Sequence, residues 1–92
     1  MYYVYVIRSL KDGKWYTGFT GNVERRLREH NSGEDKATKS RVPFELVYIE
    51  GCTVKQDALA REKYLKSGVG KKLLKYRLRN YLVSVCSQGR AP

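Results

Sequence analysis

The sequence is poor in the residues that build zinc sites, disulfide scaffolds and membrane spans. Its two cysteines, Cys52 and Cys86, belong to no CxxC pair, and the chain has one histidine. This pattern argues against a structural zinc site or a redox centre, and we expect reduced thiols, with Cys52 in the core. Because no run of 18 apolar residues is present, a transmembrane helix is not expected.

Acidic residues are also scarce. Nine Asp and Glu stand against 19 Lys and Arg, which gives a formal net charge of +10 at pH 7. So positive a field on a small body predicts a polyanionic partner, nucleic acid first. Basic ribosomal and membrane-surface proteins share such a composition, so charge alone leaves those classes open. The N-terminus starts with a strand-like pattern rather than a basic and hydrophobic leader, and we expect a cytoplasmic protein that binds no membrane.

The remaining composition suits one small domain. Hydrophobic residues make up 41% of the 92 residues, which is enough for a core, and no repeat or low-complexity tract is visible. We place the domain at residues 1–82. Residues 83–92, which include serine, glycine and proline, are predicted to form a flexible, frayed C-terminal tail.

The first part of the chain reads as a β-hairpin. Residues 2–8 are almost all β-branched or aromatic, which is typical of a strand buried on both faces. A turn at 11–13 leads into a second strand over 14–19, and antiparallel pairing is expected to bring Tyr3 or Tyr5 beside Tyr16.

A helix, a third strand and two more helices follow. The first helix starts after the N-cap Asn22 and closes at Gly33; residues 34–41 read as a mobile loop before a strand over 44–51. A capping box at 53–56 opens a helix that Gly68 and Gly70 end, and a basic amphipathic helix reaches residue 82. The predicted fold is α+β, a three-stranded antiparallel sheet with about three helices.

Glu62 is the sharpest signal from spacing alone. It follows Ala58 by four residues and precedes Leu65 by three, so the second helix aims a carboxylate toward its core side. Burial of a carboxylate without a partner costs on the order of several kcal/mol. A metal ion, an arginine, a surface salt bridge or partial exposure in a cleft would each offset that cost.

Two further pairs of residues suit chemistry on phosphate. Arg26 and His30 are one turn apart on the first helix and can reach a common point, with a guanidinium fork and an imidazole. Tyr5 and Tyr16 lie on the two hairpin strands. A phenol is a poor base at its usual pKa of about 10, so it needs a neighbouring positive charge to take part in proton transfer. Core packing is the ordinary alternative for either tyrosine.

Together these residues resemble the GIY-YIG nuclease superfamily, and its small stand-alone UPF0213-like members in particular. The matching pieces, in the right element order over residues 1 to about 80, are Tyr3-Val4-Tyr5, Tyr16-Thr17-Gly18, Arg26, His30 and Glu62. Tyr3 and Thr17 replace the Gly and Ile of the name-giving motif. Asn80 lies later than the asparagine that this family usually carries.

The resemblance implies a GIY-YIG-type endonuclease, a metal-dependent phosphodiester hydrolase. Glu62 would hold one Mg²⁺ or Mn²⁺, Arg26 would stabilise phosphate, and His30 would handle a proton or contact phosphate. Tyr5 would orient or deprotonate the attacking water, and Tyr16 would assist it or bind phosphate. Gly18 would let the backbone turn closely beneath the substrate, although a plain turn requirement explains this glycine equally well.

The basic residues outside this set are expected to grip nucleic acid, DNA rather than RNA, in repair or processing. Contacts to phosphates are independent of base sequence and sensitive to salt. The predicted contacts are Lys14, Arg25, Arg28, Lys36, Lys39, Arg41, Lys71, Lys72 and Lys75.

Two other functions stay open at this point. The departures at Tyr3 and Thr17 and the displaced Asn80 favour a binding module, a catalytically weak or inactive adaptor in DNA repair or RNA metabolism. A basic structural or ribosome-associated protein would also account for the charge, and Glu62 and His30 would then be incidental.

Overall fold

The computed structural model describes residues 1–87, with the side chains of residues 1–85. The side chain of Cys86, and the part of the predicted tail from 88 to 92, lie outside it. In chain order the elements are β1 (Tyr2–Ser9), β2 (Trp15–Thr20), α1 (Val23–Asn31), a 3-10 turn (Lys39–Arg41), β3 (Phe44–Cys52), α2 (Lys55–Lys66), α3 (Gly68–Arg77) and α4 (Arg79–Ser87). Within residues 1–87, none of the helices has both the length and the apolar composition that a membrane crossing requires.

The predicted three-stranded antiparallel sheet is confirmed, in the order β2-β1-β3. β1 is central, and Val4 to Ser9 are all buried, as expected for a strand covered on both faces. Its pairing register differs from the expectation for the hairpin. Tyr16 lies opposite Ile7, while Tyr5 lies opposite Gly18. The turn fixes this register: the Ser9 amide donates to the Lys14 carbonyl at 2.9 Å, so every later pair is determined.

Helices cover the two faces of the sheet separately. Val4 and Val6 point to a core shared with Ala58, Leu65 and Leu74, so α2 and α3 pack on this face, which we call the valine face. Tyr5, Ile7 and Phe44 point the other way, where Val23 and Leu27 of α1 cover them. We call this the tyrosine face. Alternation along β1 thus builds two small cores around one strand.

The first helix agrees with its predicted start and end. The Asn22 side chain accepts a hydrogen bond from the Arg25 amide at 3.0 Å, which satisfies one of the free N–H groups of the first turn. At the other end, Gly33 has a φ of 79°, the left-handed conformation that closes a helix. Val23, Leu27 and His30 face the sheet.

The predicted boundaries of the later helices need correction. α2 begins after Val54, which makes no side-chain cap, so the capping box at 53–56 is not formed. α2 ends at Lys66, as predicted for a helix that stops before Gly68, but Gly68 and Gly70 themselves lie in α3, whose N-cap Ser67 accepts from the Gly70 amide at 3.1 Å. A Cβ at Gly70 would come within 2.7 Å of the Leu65 Cα, so glycine is needed where α3 crosses the end of α2.

The last predicted helix is in fact two. α3 ends at Arg77 and α4 begins at Arg79, although neither glycine nor proline marks the break. The Arg79 guanidinium donates to the Tyr76 carbonyl at 3.0 Å and so satisfies a carbonyl at the end of α3. Residues 83–87 belong to α4 rather than to a frayed tail, because Val85 is buried and ties this last helix to the protein.

Candidate active site

The only histidine of the chain lies at the centre of a buried polar contact chain on the tyrosine face. His30 is 0% exposed. Its Nε2 atom lies 2.8 Å from the Tyr5 hydroxyl, and its Nδ1 atom lies 2.7 Å from the Thr38 hydroxyl. Both ring nitrogens therefore have hydrogen-bond partners, which is what burial of an imidazole demands.

Aromatic rings surround this imidazole. The Tyr16 ring stands edge-on to His30 with 5.2 Å between centroids, and the Phe44 ring lies 5.9 Å away. Tyr5 and Phe44 are buried, whereas Tyr16 is half-buried. The phenol of Tyr16 is thus the aromatic group that a ligand on this face would meet first.

Gly18 explains how Tyr5 reaches His30. The two residues are cross-strand partners, and a Cβ built on Gly18 would lie 2.5 Å from Cζ of Tyr5 and 2.9 Å from Cε1. The Tyr5 ring thus packs directly on the glycine. The absence of a side chain at Gly18 is thus accounted for by the Tyr5 ring, and a close passage of its backbone beneath a substrate stays a prediction.

Arg26 lies beside Tyr5 and is held by two carboxylates. Its guanidinium donates to Glu29 at 3.1 Å and to Asp35. Burial disfavours the charge of Arg26, but the hydrogen bonds to Asp35 and Glu29 outweigh it, and the pKa of Arg26 rises above its ordinary value. The side chain is 27% exposed, so this permanent charge remains accessible from solvent.

Burial and Arg26 set the protonation states of the cluster. Burial raises the pKa of Tyr5 to about 12, although the positive charge and hydrogen bond of Arg26 act against it. Burial, with Arg26 second, lowers the pKa of His30 below 6.5. At neutral pH the structure therefore holds a neutral phenol against a neutral imidazole.

The segment between α1 and β3 contributes two residues that the sequence did not single out. Thr38, whose hydroxyl contacts the His30 ring, is fully buried, and Asp35 forms an ion pair with Arg26. The segment was predicted as a mobile loop, but these contacts and the 3-10 turn fix it in place. Its polar composition carries no periodic signal, so only the tertiary contacts show these roles.

Glu62 lies on the other side of the sheet. It is on the sheet-facing side of α2, between Ala58 and Leu65, and that helix packs on the valine face. Its side chain is 20% exposed and forms an ion pair with Lys66 at 3.2 Å. Tyr5, Tyr16, Arg26 and His30 are thus brought together on one face, whereas Glu62 belongs to a helix that packs on the other face. The convergence of all five on one phosphate stays a prediction.

The predicted phosphate-binding residues lie on two separate parts of the protein, and one of them is held in an ion pair. Arg25 and Arg28 of α1, with Lys36 and Lys39 of the following segment, are exposed. Arg41 is different, since it braces the hairpin turn by binding Asp12 at 2.9 Å and the Lys14 carbonyl at 3.1 Å. The exposed lysines Lys14, Lys71, Lys72 and Lys75 belong to the turn before β2 and to α3.

Comparison with known proteins gives the same family as the residue pattern. Residues 1–80 match the family model of the GIY-YIG catalytic domain. A UPF0213 protein of Haloquadratum walsbyi is 46% identical over 67 residues, which cover 72% of this chain and 74% of that protein. A UPF0213 protein of Staphylococcus saprophyticus is 41% identical over 75 residues, covering 80% of this chain and 90% of that protein.

A solved structure is also similar. The solution NMR structure of a UPF0213 protein from Bacillus halodurans has 41% sequence identity and a TM-score of 0.49, over 80% of this chain and 82% of that one. The match of the family model over residues 1–80 and the identities with relatives of similar length decide the classification. This chain belongs to the GIY-YIG catalytic domain family.

Proposed function

We propose that the protein is a metal-dependent endonuclease that hydrolyses phosphodiester bonds, with DNA as its substrate. The observation that carries the proposal is the buried hydrogen-bond chain from Tyr5 through His30 to Thr38, with Arg26 beside it, in a member of a catalytic domain family. Hydrolysis needs a group that accepts a proton from water and a cation facing the phosphate, and this cluster offers both.

Proton transfer is assigned to Tyr5 and His30. A neutral imidazole carries one N–H, and we assign it to Nδ1, which donates to the Thr38 hydroxyl. Nε2 then accepts the proton of the Tyr5 hydroxyl across 2.8 Å. When the attacking water gives a proton to the Tyr5 oxygen, the phenol passes its own proton to Nε2. The imidazolium that forms still donates to Thr38.

Arg26 and Tyr16 are the groups that receive the phosphate. Both are part-exposed, and a guanidinium has five N–H donors, so contacts to Glu29 and Asp35 leave donors for a phosphate oxygen. The nearby carboxylates also keep Arg26 oriented before substrate arrives. Such preorganisation is what makes a charge effective against a developing negative charge.

Glu62 is suited to bind one divalent ion, such as Mg²⁺, that keeps most of its coordinated water molecules. Within the part of the chain that the structure describes, no group of three His, Cys, Asp or Glu side chains is placed to hold a metal. Mg²⁺ is commonly bound by one or two carboxylates with substrate phosphates completing the shell, so a single part-buried glutamate is compatible with it. Bound there, the ion would supply charge stabilisation to the phosphate. Lys66, at 52% exposure, is a weak competitor for the carboxylate.

A cleavage panel tests the proposal. Purified protein is incubated with duplex, single-stranded, nicked and branched DNA, and with RNA, in Mg²⁺ or Mn²⁺. We expect metal-dependent cleavage of DNA that falls by more than ~100-fold in Glu62→Gln and by ~10²–10⁴-fold in Tyr5→Phe. Asp57→Asn, which removes a charge from the same helix, serves as the matched control and should cleave normally. Absence of cleavage across the panel, or full activity of Glu62→Gln, would refute the assignment.

The second candidate is a nucleic-acid-binding adaptor without efficient turnover. Its support is the position of Glu62, on the face of the sheet opposite to Arg26 and His30 and paired with Lys66. This function predicts salt-dependent binding by the wild-type protein with no product under any metal. The same panel separates the two functions when binding is measured beside cleavage.

A further inference from the structure

A cavity on the valine face is lined by one aromatic ring and several leucines. It has a volume of about 420 Å³ and lies between the hairpin turn and β2 on one side and α2, α3 and α4 on the other. Trp15, Leu65, Leu74 and Leu82 form its apolar wall. A volume of this size falls within the ~300–1,000 Å³ of pockets that hold small molecules.

Three lysines stand around this apolar wall. Lys14, Lys71 and Lys75 line the cavity, and all three are exposed. None of them forms an ion pair within the described residues, whereas Arg25, Arg26 and Arg41 are each paired with a carboxylate. The uncompensated positive charge of the domain therefore includes the rim of this cavity. An apolar wall with a cationic rim matches a flat, uncharged ring system attached to anions.

We propose that this cavity binds an unpaired nucleobase of a nucleic acid strand, with Trp15 against the base and the three lysines on the flanking phosphates. Bases stack on aromatic side chains irrespective of sequence, and lysines follow the phosphate backbone, which is the pattern of single-strand sites. A base inside a duplex cannot enter. The site therefore selects overhangs, flaps and other unpaired strands.

The position of the cavity relates it to the candidate active site. Thr17 lines the cavity, and its neighbour Tyr16 faces His30, because successive residues of β2 point to opposite faces. Leu65 follows Glu62 by three residues on the same side of α2. A strand whose base enters the cavity would run past Glu62 and over the edge of β2. The inference rests on the proposed function, because the strand that binds in the cavity is taken to be the nucleic acid that the nuclease cleaves.

Trp15 makes the test direct, because it is the only tryptophan of the chain. Its fluorescence is titrated in EDTA, so that cleavage plays no part, with a short single-stranded DNA, a strand of equal length made of abasic sites, and a blunt-ended duplex of two fully paired strands. We expect the single strand to quench Trp15 and the abasic strand to bind about tenfold or more weakly without quenching it. The duplex should leave the emission unchanged.

Charge variants distinguish binding at this site from non-specific electrostatic attraction between the basic protein and nucleic acid. Lys71→Gln with Lys75→Gln should weaken single-strand binding by about tenfold or more. The control is Lys55→Gln with Lys63→Gln, which removes the same charge from two exposed lysines of α2 that do not line the cavity. This control should change the affinity for the single strand by less than about threefold. The proposal is overturned if both pairs weaken binding equally, or if the abasic strand binds as tightly as the normal one. Quenching in EDTA, together with no cleavage in Mg²⁺ or Mn²⁺ across the DNA and RNA panel, would refute the nuclease and leave the base site standing.

Discussion

Substitution of Gly18 by alanine tests the contact on which the tyrosine face is built. The added Cβ would lie 2.5 Å from Cζ of Tyr5 and 2.9 Å from Cε1, and closer still to the hydroxyl. Real Cβ atoms do not approach carbon that closely, and both residues lie in paired strands that cannot separate. The Tyr5 ring must therefore leave its place on Gly18, and its hydroxyl must leave His30.

The cost of the change follows from two effects. Overpacking of a core by one methyl group costs about 1–3 kcal/mol. Separation of the Tyr5 hydroxyl from a fully buried Nε2 leaves polar atoms without a partner, for about 1–3 kcal/mol more. Gly18→Ala should thus lower the free energy of unfolding by about 2–6 kcal/mol, a large part of the ~5–15 kcal/mol typical of a domain.

Urea denaturation of the wild type, of Gly18→Ala and of the control variants measures this effect. Gly21→Ala is the matched control, since nothing lies within 4 Å of its Cβ and the residue is exposed. It should be neutral or stabilise by up to about 1 kcal/mol, as glycine replacements without strain do. In a Tyr5→Leu background, which lacks Cζ, Cε1 and the hydroxyl, Gly18→Ala should cost less than about 0.5 kcal/mol. An equal cost in both backgrounds, or a cost near that of Gly21→Ala, would refute the reasoning.

Three further predictions concern titration and packing. Because burial raises the pKa of Tyr5 to about 12, above its unfolded value near ~10, its contribution to stability is complete below pH ~10 and is lost toward pH ~12. Tyr5→Phe should therefore reduce the alkaline loss of unfolding free energy, and an unchanged pH profile between pH 9 and 12 would contradict this. The pKa of His30 is lowered, so its contribution is present above pH ~6.5 and is lost as the pH falls through its folded pKa. NMR of the single imidazole should give a midpoint below 6.5, and a midpoint at or above that value counts against a buried neutral ring. Gly70→Ala should destabilise the protein by more than about 3 kcal/mol in thermal or urea unfolding, because the added Cβ would meet the α2 backbone. Gly68→Ala is the control and should be tolerated, since its Cβ would have open space. Equal stability of the two variants would disprove the close helix crossing.

Local signals in the sequence predicted the elements that build the site. The β-branched and aromatic run of β1, the N-cap Asn22 and the helix-closing Gly33 are local signals, and the structure agrees with each. The presence of Tyr5 and His30 on facing elements could therefore be anticipated.

Features that depend on distant contacts could not be anticipated. The register that places Tyr5 on Gly18 is set by the turn hydrogen bonds, and a shift of one residue would turn each side chain to the other face. The break after Arg77 has no local marker. The face on which α2 packs, and with it the position of Glu62, is decided by tertiary packing of Ala58 and Leu65.

The segment between α1 and β3 couples two properties that catalysis would need at once. It supplies both the carboxylate on Arg26 and the hydroxyl on His30, and its 3-10 turn is fastened to the hairpin through Arg41 and Asp12. A partner protein, a bound phosphate or heat that lifts this one segment would remove the Asp35 contact of Arg26 and the Thr38 contact of His30 together. Anion capture and proton transfer would then gain or lose their alignment as a single event.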